Sequence, residues 1–388
     1  MTKKLGQYMT PPMLAALAAR ELGQCDVVID FAVGEGALLR AVQNIYSDVE
    51  IFGVDLDPEM VRMAKTVLDE SSIRHGDGLK ARAPRLNDGV TLGIIGNPPY
   101  CSLSANSPNW AKKAFPDLTG KHGVDRAEVQ FLARALVTAR KYGGKVVMVM
   151  PIGFADGDFY RKVRVSLMQN YGLRKVIEVG SGVFSDTEAR TAILVIDTAK
   201  TKTGSVKIYD LDHMSKRPRL VRTGHLEAGT RLDARYHQAI QATQAQDLLQ
   251  LKDFEISVTR GLISNREAID RNIRAVHTTD LAKAMDGVLP VRDAQTNGDG
   301  VMARPGDILL SRTGSRVSWS PVVVKGGVAP ITDHVFRIRV PAALQEVVYD
   351  SFRHPRFSEW LKGISKGVCA SVITKRELME MPIFAMAD

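Results

Sequence analysis

The pattern of apolar and polar positions changes once along the chain, near residue 205. Before that point, short apolar runs rich in β-branched residues alternate with segments whose apolar residues recur at helical spacing. This alternation predicts an α/β fold, a doubly wound and mostly parallel sheet with helices on both faces. The predicted strands are 27–30, 51–55, 91–96, 145–151, 174–179 and 191–197, with a further short strand before Asp77. The clearest predicted helix is 126–144, which ends at a pair of glycines.

One segment interrupts the alternation. Residues 101–125 contain Ser, Asn, Pro and Gly throughout and show no periodicity, which is typical of a functional or disordered loop. The loop follows IIGNPPY, residues 94–100, in which an apolar run ends in an amide, two prolines and an aromatic ring. Because proline restricts the residue before it to extended conformations, we expect Asn97 and Pro98 to be held stiffly as a pair of hydrogen-bond acceptors.

The second part of the chain is predicted to form a separate domain. Residues 214–230 are polar, basic and aperiodic, so we interpret 205–230 as a linker between a first domain, 1–204, and a second domain, 231–388. Short strands are expected within 306–314, 321–330 and 334–340, and one amphipathic helical stretch near 346–364. The second domain is therefore predicted to be α+β and rich in strands.

Length and composition are consistent with this organisation. The 388 residues exceed the roughly 250–300 at which a single core stops growing. Without a long apolar run or a secretory signal, the chain is expected to be cytoplasmic and to have no membrane contact. Residues 201–388 carry six of the nine net positive charges, which is compatible with a polyanionic partner. The three widely spaced cysteines predict neither a disulfide framework nor a metal site.

Candidate binding residues follow the first two predicted strands. Asp30 begins the loop DFAVGEG and can accept a hydrogen bond from an ammonium group, while Gly34 and Gly36 allow a tight turn and close approach of a ligand. Asp55 ends the second strand, where a carboxylate can accept both hydroxyls of a ribose. A dinucleotide site also fits this spacing, although the loop is not GxGxxG and nothing downstream suggests hydride transfer.

The next two strands end in polar groups at the same edge of the predicted sheet. Asp77 follows the third strand, where it can accept from the amino group of an adenine, and Asn97 ends the fourth. Open α/β sheets bind their ligands at this edge. Polar groups at the ends of four strands, Asp30, Asp55, Asp77 and Asn97, indicate a ligand site more specifically than any one of them alone.

These segments together resemble a known family. In this order, DFAVGEG, GVDLD, GDG and NPPY resemble the motifs of amino-group DNA methyltransferases of the gamma class, which methylate N6 of adenine. GQYMTPP, residues 6–12, resembles the segment that precedes the first motif of this class. The resemblance covers residues 5–200 and implies the S-adenosylmethionine-dependent methyltransferase fold. By this resemblance the cofactor-binding residues are Thr10, Asp30, Gly34, Gly36, Asp55 and Asp77. The chain departs from the family at Phe31, where Pro is frequent, and at Gly78, where a bulkier residue is usual.

The resemblance also implies a mechanism. Asn97 and Pro98 would accept the two N–H bonds of a flipped-out adenine, Pro99 would keep the turn rigid and Tyr100 would stack on the base. Residues 183–197 resemble the later motif whose aromatic residue packs against the base, which carries that role to Phe184. No metal is required. The loop 101–125 either closes over the base and its phosphates or is an ordinary solvated loop; its candidate residues are Trp110, Lys112, Lys113 and Lys121.

The second domain has a looser resemblance. Residues 231–237, 306–315 and 363–383 resemble pieces of the target-recognition unit of type I restriction specificity subunits, and an unrelated β-rich appendage remains the alternative. Arginines in loop-like stretches are candidates for contacts with bases or phosphates. They are Arg260, Arg266, Arg271, Arg274, Arg312 and Arg316.

The sequence thus predicts a site-specific adenine-N6 methyltransferase of double-stranded DNA. We expect a monomer that modifies without cleaving, with any restriction endonuclease encoded separately. Two alternatives share the catalytic motif or the fold. One is a methyltransferase of protein glutamine or of RNA amino groups, and the other is a DNA-binding subunit with a decayed cofactor site. The large basic second domain favours DNA over protein.

Overall fold

The chain forms two compact units in a computed structural model, Met1–Ala234 and Arg235–Asp388. The structure describes residues 8–104, 107–118, 124–184, 190–212, 217–244, 248–294, 300–314, 321–366 and 371–384. Within these ranges, no helix has the length and apolar character needed to cross a membrane.

The first unit alternates strands and helices. Its strands are β1 (Val27–Asp30), β2 (Glu50–Asp55), β3 (Ile73–His75), β4 (Leu92–Gly96), β5 (Lys145–Pro151), β6 (Gly172–Val179), β7 (Thr191–Asp197), β8 (Ser205–Leu211) and β9 (Arg219–His225). Its helices are α1 (Pro12–Leu22), α2 (Ala37–Ile45), α3 (Pro58–Lys65), α4 (Ala111–Ala114), α5 (Ala127–Arg140), α6 (Ile152–Asp156) and α7 (Arg161–Asn170), with 3₁₀ turns at Glu70–Ser72 and Asp158–Tyr160.

The nine strands form one sheet in the order β3-β2-β1-β4-β5-β7-β6-β8-β9. Strands β1 to β5 are parallel to their neighbours among themselves, and β7 lies antiparallel between β5 and β6. The strand order reverses between β1 and β4, which is where open α/β sheets form a ligand crevice. The predicted α/β class with a mostly parallel sheet is therefore confirmed.

Helices cover both faces of this sheet, so its central strands β1, β4 and β5 are buried on both sides. One apolar cluster packs α1, α2 and α3 against the sheet through residues such as Leu14, Leu39 and Ala64. The other packs α4 to α7 against the opposite face and includes Phe115, Leu132 and Leu167. The helix predicted at 126–144 is α5, which ends earlier, at Arg140.

The predicted linker at 205–230 is wrong, since these residues continue the sheet. Strand β8 pairs in parallel with β6, and β9 pairs antiparallel with β8. Strand β8 does alternate, with Val206 and Ile208 buried, but β9 is exposed or half-buried along its length. An edge strand needs no continuous apolar face, so its basic, polar sequence resembles a loop. The first unit accordingly extends to Ala234.

The second unit is a small α+β structure. Its strands are β10 (Ser257–Arg260), β11 (Val288–Pro290), β12 (Met302–Ala303), β13 (Ile308–Ser311), β14 (Thr313–Gly314), β15 (Val322–Lys325), β16 (Ala329–Pro330), β17 (Val335–Arg339) and β18 (Ser371–Val372). Its helices are α8 (Ala234–Gln244), α9 (Asn265–Asp270), α10 (Thr278–Leu281), α11 (Gln345–Arg353), α12 (Pro355–Ile364) and α13 (Lys375–Met379), with 3₁₀ turns at Leu251–Asp253 and Ala342–Leu344.

Five strands of this unit form a sheet in the order β10-β17-β13-β15-β11, and two pairs, β12–β16 and β14–β18, stand apart from it. Strands are present in all three predicted segments. The single amphipathic stretch expected near 346–364 is instead two helices, α11 and α12. Pro355 begins the second one, and His354 before it is extended with ψ 137°. A residue that precedes proline disfavours the helical conformation, which explains the break.

Candidate active site

The carboxyl ends of β1, β2 and β4 open into a cavity of about 370 Å³ within the first unit. Predicted site residues contribute much of its lining. They are Thr10, Asp30, Gly34, Asp55, Asp77, Asn97 and Pro99. Asn97 and the three carboxylates therefore meet at one edge of the sheet, as the strand pattern predicts.

Asp30 is a buried carboxylate with a free acceptor. Its side chain is 1% exposed, and Oδ1 accepts a hydrogen bond from the Ala32 amide at 2.9 Å. Oδ2 has no hydrogen-bond partner among the described residues. Burial raises the pKa of Asp30 to about 7, with a smaller contribution from the negative charge of Asp55. A cationic donor would relieve both the missing hydrogen bond and the cost of the buried charge.

Asp55 fixes the glycine loop. Its Oδ2 accepts from the Gly34 amide at 2.8 Å and its Oδ1 from the Asp57 amide at 2.9 Å. Burial is the main reason that its pKa is raised. Gly34 and Gly36 have φ angles of +53° and +86°, which favour glycine, and a β-carbon at Gly36 would lie 2.8 Å from the Leu68 side chain. Gly34 thus leaves its backbone open to a ligand in the cavity, whereas Gly36 does not line the cavity and allows the loop to pack against Leu68 and Ala64.

The wall that follows β3 is equally tight. Asp77 Oδ1 accepts from the Leu79 amide at 2.9 Å, and Oδ2 lies 3.2 Å from Lys80 Nζ. A β-carbon at Gly78 would collide with the carbonyl of Phe31 and lie 2.9 Å from the Phe131 ring. The two departures from the family pattern, at positions 31 and 78, are therefore in direct contact.

Phe131 of α5 also lines the cavity, and sequence reasoning missed it. Its position in a strongly periodic helix indicated only a core residue. Nothing local in the sequence distinguishes an aromatic residue that faces a cavity from one that faces the core.

The segment after the NPPY turn is anchored to this wall. Trp110 Nε1 donates to the Leu79 carbonyl at 2.8 Å. The Arg134 guanidinium lies 3.8 Å from the centre of the Phe31 ring and 5.5 Å from that of Trp110, and it donates to the Ala81 carbonyl. Burial lowers the pKa of Arg134 to about 10. Trp110 is thus packed against the cavity wall, and Ala111, Ala114 and Phe115 are buried in the apolar cluster on this face of the sheet.

Two of the three lysines predicted for this loop lie on α4. Lys112 and Lys113 are exposed on α4, and Lys113 Nζ lies 4.8 Å from the centre of the Trp110 ring. Lys121 lies outside the described residues.

The Asn97 side chain makes three hydrogen bonds. Its Nδ2 donates to the Tyr8 carbonyl at 2.9 Å and to Thr10 Oγ1 at 3.1 Å. Its Oδ1 accepts from the Tyr100 hydroxyl at 2.9 Å. Pro98 is buried and lines a separate small cavity beside Asp30.

Tyr100 is held by its hydroxyl as well as by its ring. The hydroxyl also lies 3.3 Å from the Val149 carbonyl, and the ring centre is 5.6 Å from that of Tyr8. Burial raises the pKa of Tyr100 well above its ordinary value, with Glu128 adding to the effect, so the phenol keeps its proton. Its hydroxyl is therefore a permanent donor.

Phe184 is not brought to the cavity. Its side chain is 5% exposed and belongs to the apolar cluster beneath α1, α2 and α3. The ring does not line the cavity, and its contact with a target base stays a prediction. The residues that follow, 185–189, lie outside the described residues.

In the second unit, three adjacent strand ends bring polar residues together. Arg260 ends β10, His334 precedes β17 and Arg312 follows β13. Arg260 bonds to Asp333 at 3.1 Å, and the Arg312 amide donates to the His334 carbonyl at 2.8 Å. Burial lowers the pKa of the Arg312 guanidinium, and repulsion from Arg260 lowers it further. We call these residues the sheet-end cluster: Arg260, Arg312, Asp333 and His334.

The other predicted arginines are not in this cluster. Arg266, Arg271 and Arg274 are exposed in or beside α9, where Arg266 and Arg271 form ion pairs within the helix and its end. Arg316 lies outside the described residues. In the part of the chain that the structure describes, no group of three His, Cys, Asp or Glu side chains could hold a metal ion.

Three solved structures illustrate what the chain is similar to. The type I restriction-modification methyltransferase subunit from Streptococcus thermophilus is 22% identical, covers 56% of this chain and 51% of its own, and has a TM-score of 0.45. The EcoKI M protein is 21% identical, covers 54% and 49%, and has a TM-score of 0.42. The type IIG restriction endonuclease BpuSI is 12% identical, covers 98% and 59%, and has a TM-score of 0.49.

The chain therefore spans about half the length of the first two structures. Among curated proteins, none matches the chain significantly. The model of one family, described as N-6 DNA Methylase, matches residues 1–247 of the 388. This match includes the whole cavity and every residue that contacts Asn97. The chain belongs to the N-6 DNA methylase family.

Proposed function

We propose that the chain is a site-specific DNA methyltransferase that transfers a methyl group to N6 of a flipped-out adenine in double-stranded DNA. The observation that carries the proposal is Asn97, a carboxamide at the edge of the cavity whose two N–H bonds are already used. Its oxygen accepts one hydrogen bond and has a second lone pair for a substrate N–H.

The cofactor of this family is S-adenosylmethionine, and the cavity has groups that fit it. Asp30 offers a buried acceptor for the ammonium group of the cofactor. Asp55 can accept the ribose hydroxyls, and Asp77, beside Gly78 and Phe131, can accept from the amino group of the adenine. When bound, the cofactor supplies an electrophilic methyl group on a positively charged sulfur.

Asn97 and Pro98 would act on the amino nitrogen of the substrate. The lone pair of this nitrogen is delocalised into the adenine ring, which makes it a poor nucleophile. Acceptors for both of its N–H bonds favour a tetrahedral nitrogen whose lone pair is localised for attack. The rigid Pro98-Pro99 turn keeps these acceptors in place, so little reorganisation is needed at the moment of reaction.

Extrusion of the base has a cost that stacking can offset. Flipping a paired base out of the duplex costs a few kcal/mol, and one aromatic contact returns roughly 1 to 3 kcal/mol. Tyr100, whose hydroxyl bonds to Asn97, is our candidate for this contact. The exposed Lys112 and Lys113 would contact the phosphates beside the extruded base.

We assign sequence recognition to the second unit. The sheet-end cluster supports this assignment because it concentrates two guanidinium groups and an imidazole at adjacent strand ends, next to one carboxylate. Exposed arginines around α9 would add phosphate contacts. We further propose that the protein is the modification component of a restriction-modification system and acts as a monomer, with any restriction endonuclease encoded separately. The cytoplasmic location stays a prediction.

The proposal is tested by single-molecule sequencing of genomic DNA from a methylation-free host that expresses the wild type, Asn97→Ala or the exposed control Asn87→Ala. We expect N6-methyladenine in one sequence context with the wild type and Asn87→Ala, and none with Asn97→Ala. Absence of DNA methylation from a wild-type protein that binds S-adenosylmethionine by calorimetry would refute the proposal. RNA bases and protein glutamines, which present similar planar amino groups, would then be the substrates to test.

A further inference from the structure

We propose that the Tyr8 carbonyl, Thr10 and Tyr100 fix which end of the Asn97 carboxamide faces the substrate, so that Thr10 and Tyr100 are positioning residues for the methyl transfer. This inference rests on the proposed function. It gives Thr10 a role beyond the cofactor contact implied by the sequence, and Tyr100 a role beyond stacking.

A carboxamide has two ends of nearly equal size and opposite chemistry. The NH₂ end donates two hydrogen bonds and the oxygen end accepts two. An amino group of a substrate needs the oxygen. If the Asn97 amide turned by 180° about its last bond, it would present N–H bonds to the N–H bonds of the substrate, and the site would lose its acceptor.

The N-terminal segment excludes the reversed orientation. Both N–H bonds of Asn97 point at it, one to the Tyr8 carbonyl at 2.9 Å and one to Thr10 Oγ1 at 3.1 Å. The Thr10 hydroxyl could serve either end of an amide, because it both donates and accepts. The Tyr8 carbonyl can only accept, so reversal would place two oxygens against each other.

Tyr100 secures the opposite end. Its hydroxyl donates to Asn97 Oδ1 at 2.9 Å. In the reversed amide this hydroxyl could still accept, but its proton would keep only the longer contact to the Val149 carbonyl, at 3.3 Å. The Tyr8 carbonyl and the Tyr100 hydroxyl therefore favour one orientation, and the Thr10 hydroxyl holds the second N–H bond of that orientation. One lone pair of Oδ1 is left for the substrate.

The N-terminal segment that carries Tyr8 and Thr10 also packs against Tyr100. The rings of Tyr8 and Tyr100 lie 5.6 Å apart with their planes inclined by 35°. The residues just before α1 are thus packed against the turn that carries Asn97, although 87 and 89 positions of sequence separate the bonded residues. Loss of an orienting bond should reduce the population of the productive amide and leave the binding surfaces intact.

The test compares three variants of the full chain. Thr10→Val removes the hydroxyl at nearly constant volume, Thr10→Ser restores it, and Tyr100→Phe removes the hydroxyl but keeps the ring. The first readout needs no substrate: the side-chain NH₂ signals of protein labelled with ¹⁵N-asparagine, with the Asn97 pair identified by its loss in Asn97→Ala. We expect this pair to shift in Thr10→Val and Tyr100→Phe and to return towards the wild-type position in Thr10→Ser.

The second readout separates chemistry from binding. We expect the single-turnover methylation rate to fall by about tenfold in Thr10→Val and in Tyr100→Phe, the effect of one hydrogen bond. Thr10→Ser should recover most of that rate. DNA affinity, measured by anisotropy, should change by less than about threefold in all three variants. S-adenosylhomocysteine affinity, measured by calorimetry, should change by less than about threefold in Tyr100→Phe, because the hydroxyl that this variant loses bonds to Asn97.

Several outcomes would overturn the inference. Unchanged Asn97 signals in Thr10→Val and Tyr100→Phe would show that these residues do not orient the amide. A large loss of S-adenosylhomocysteine affinity in Thr10→Val, with the Asn97 signals unchanged, would leave Thr10 as a cofactor residue only. If the wild type methylates no DNA, the proposed function fails, while the NMR comparison still decides the orientation of Asn97.

Discussion

Gly78 lies against the carbonyl oxygen of Phe31 so closely that a β-carbon at residue 78 would collide with it. The same β-carbon would lie 2.9 Å from the Phe131 ring, which lines the cavity. Backbone on one side and an aromatic ring on the other leave no flexible group that can move aside. The wall beside Asp77 therefore depends on glycine, whatever residue relatives have there.

Gly78→Ala is accordingly expected to lower the free energy of unfolding by about 1–3 kcal/mol, the usual cost of overpacking. It should also weaken S-adenosylhomocysteine binding, because relief of the collision moves the cavity wall. Thermal unfolding and calorimetry measure the two effects. Gly76→Ala is the matched control, since a β-carbon there meets its nearest neighbour at 3.9 Å. Equal behaviour of the two variants would contradict the prediction.

Asp30 predicts a pH dependence. Burial raises its pKa to about 7, so the folded state holds this proton more tightly than the unfolded chain does. The contribution of Asp30 to the free energy of unfolding should therefore fall as pH rises from about 4 to about 7 and be constant above that range.

A cationic ligand binds the ionised form, so cofactor affinity should rise with pH up to about 7, by at most about tenfold per pH unit.

Calorimetry in buffers of different ionisation enthalpy measures how many protons are released when S-adenosylhomocysteine binds. We expect net proton release below pH 7 from the wild type and from the exposed control Asp88→Asn. The Asp30→Asn variant should bind S-adenosylhomocysteine more weakly and should release fewer protons on binding. Proton release that is the same in Asp30→Asn and the wild type would exclude Asp30 as its source.

Arg312 of the sheet-end cluster is expected to affect sequence-dependent binding. Arg312→Gln should weaken binding to an unmethylated duplex that contains the recognition sequence by about 1–3 kcal/mol. It should weaken binding to a duplex of scrambled sequence by less. The control is Arg266→Gln, whose side chain is 93% exposed. Arg266→Gln should weaken both duplexes alike and lower the salt dependence. Fluorescence anisotropy at two salt concentrations measures both effects, and equal losses on the two duplexes in Arg312→Gln would contradict a role in base recognition.

A stability prediction concerns Asp307 in the second unit. This carboxylate is 3% exposed and accepts two hydrogen bonds from Arg339, at 2.7 and 2.8 Å. Arg339→Met should cost about 1–3 kcal/mol in denaturant unfolding, because it leaves Oδ1 of this buried carboxylate unsatisfied, while Oδ2 keeps the Arg304 amide at 2.8 Å. Arg376→Met, which removes an exposed i,i+4 pair with Glu380, should cost at most about 0.5 kcal/mol. Similar costs would show that the Arg339 pair contributes no more than a surface contact.

Local periodicity predicted seven of the nine strands of the first unit. It also predicted the edge at which Asp30, Asp55, Asp77 and Asn97 meet, because the carboxyl ends of parallel strands lie at one edge of a sheet. It missed β8, although Val206 and Ile208 alternate there with exposed residues, and it missed β9, since an exposed edge strand carries no apolar face. It also placed Phe184 by motif position, whereas packing buries that ring in the core. The hydrogen bonds of Asn97 join positions 87 and 89 residues apart, and no local pattern encodes such a distance.

Strands β8 and β9 have a practical consequence for work on the catalytic unit alone. A fragment that stops at residue 204 would strip β6 of its parallel neighbour and uncover a row of unpaired amides and carbonyls. Such a row is a template for intermolecular strand pairing, so this fragment is expected to aggregate whatever the state of its cavity. Expression fragments should instead be cut after residue 234, and an inactive shorter piece would say nothing about catalysis.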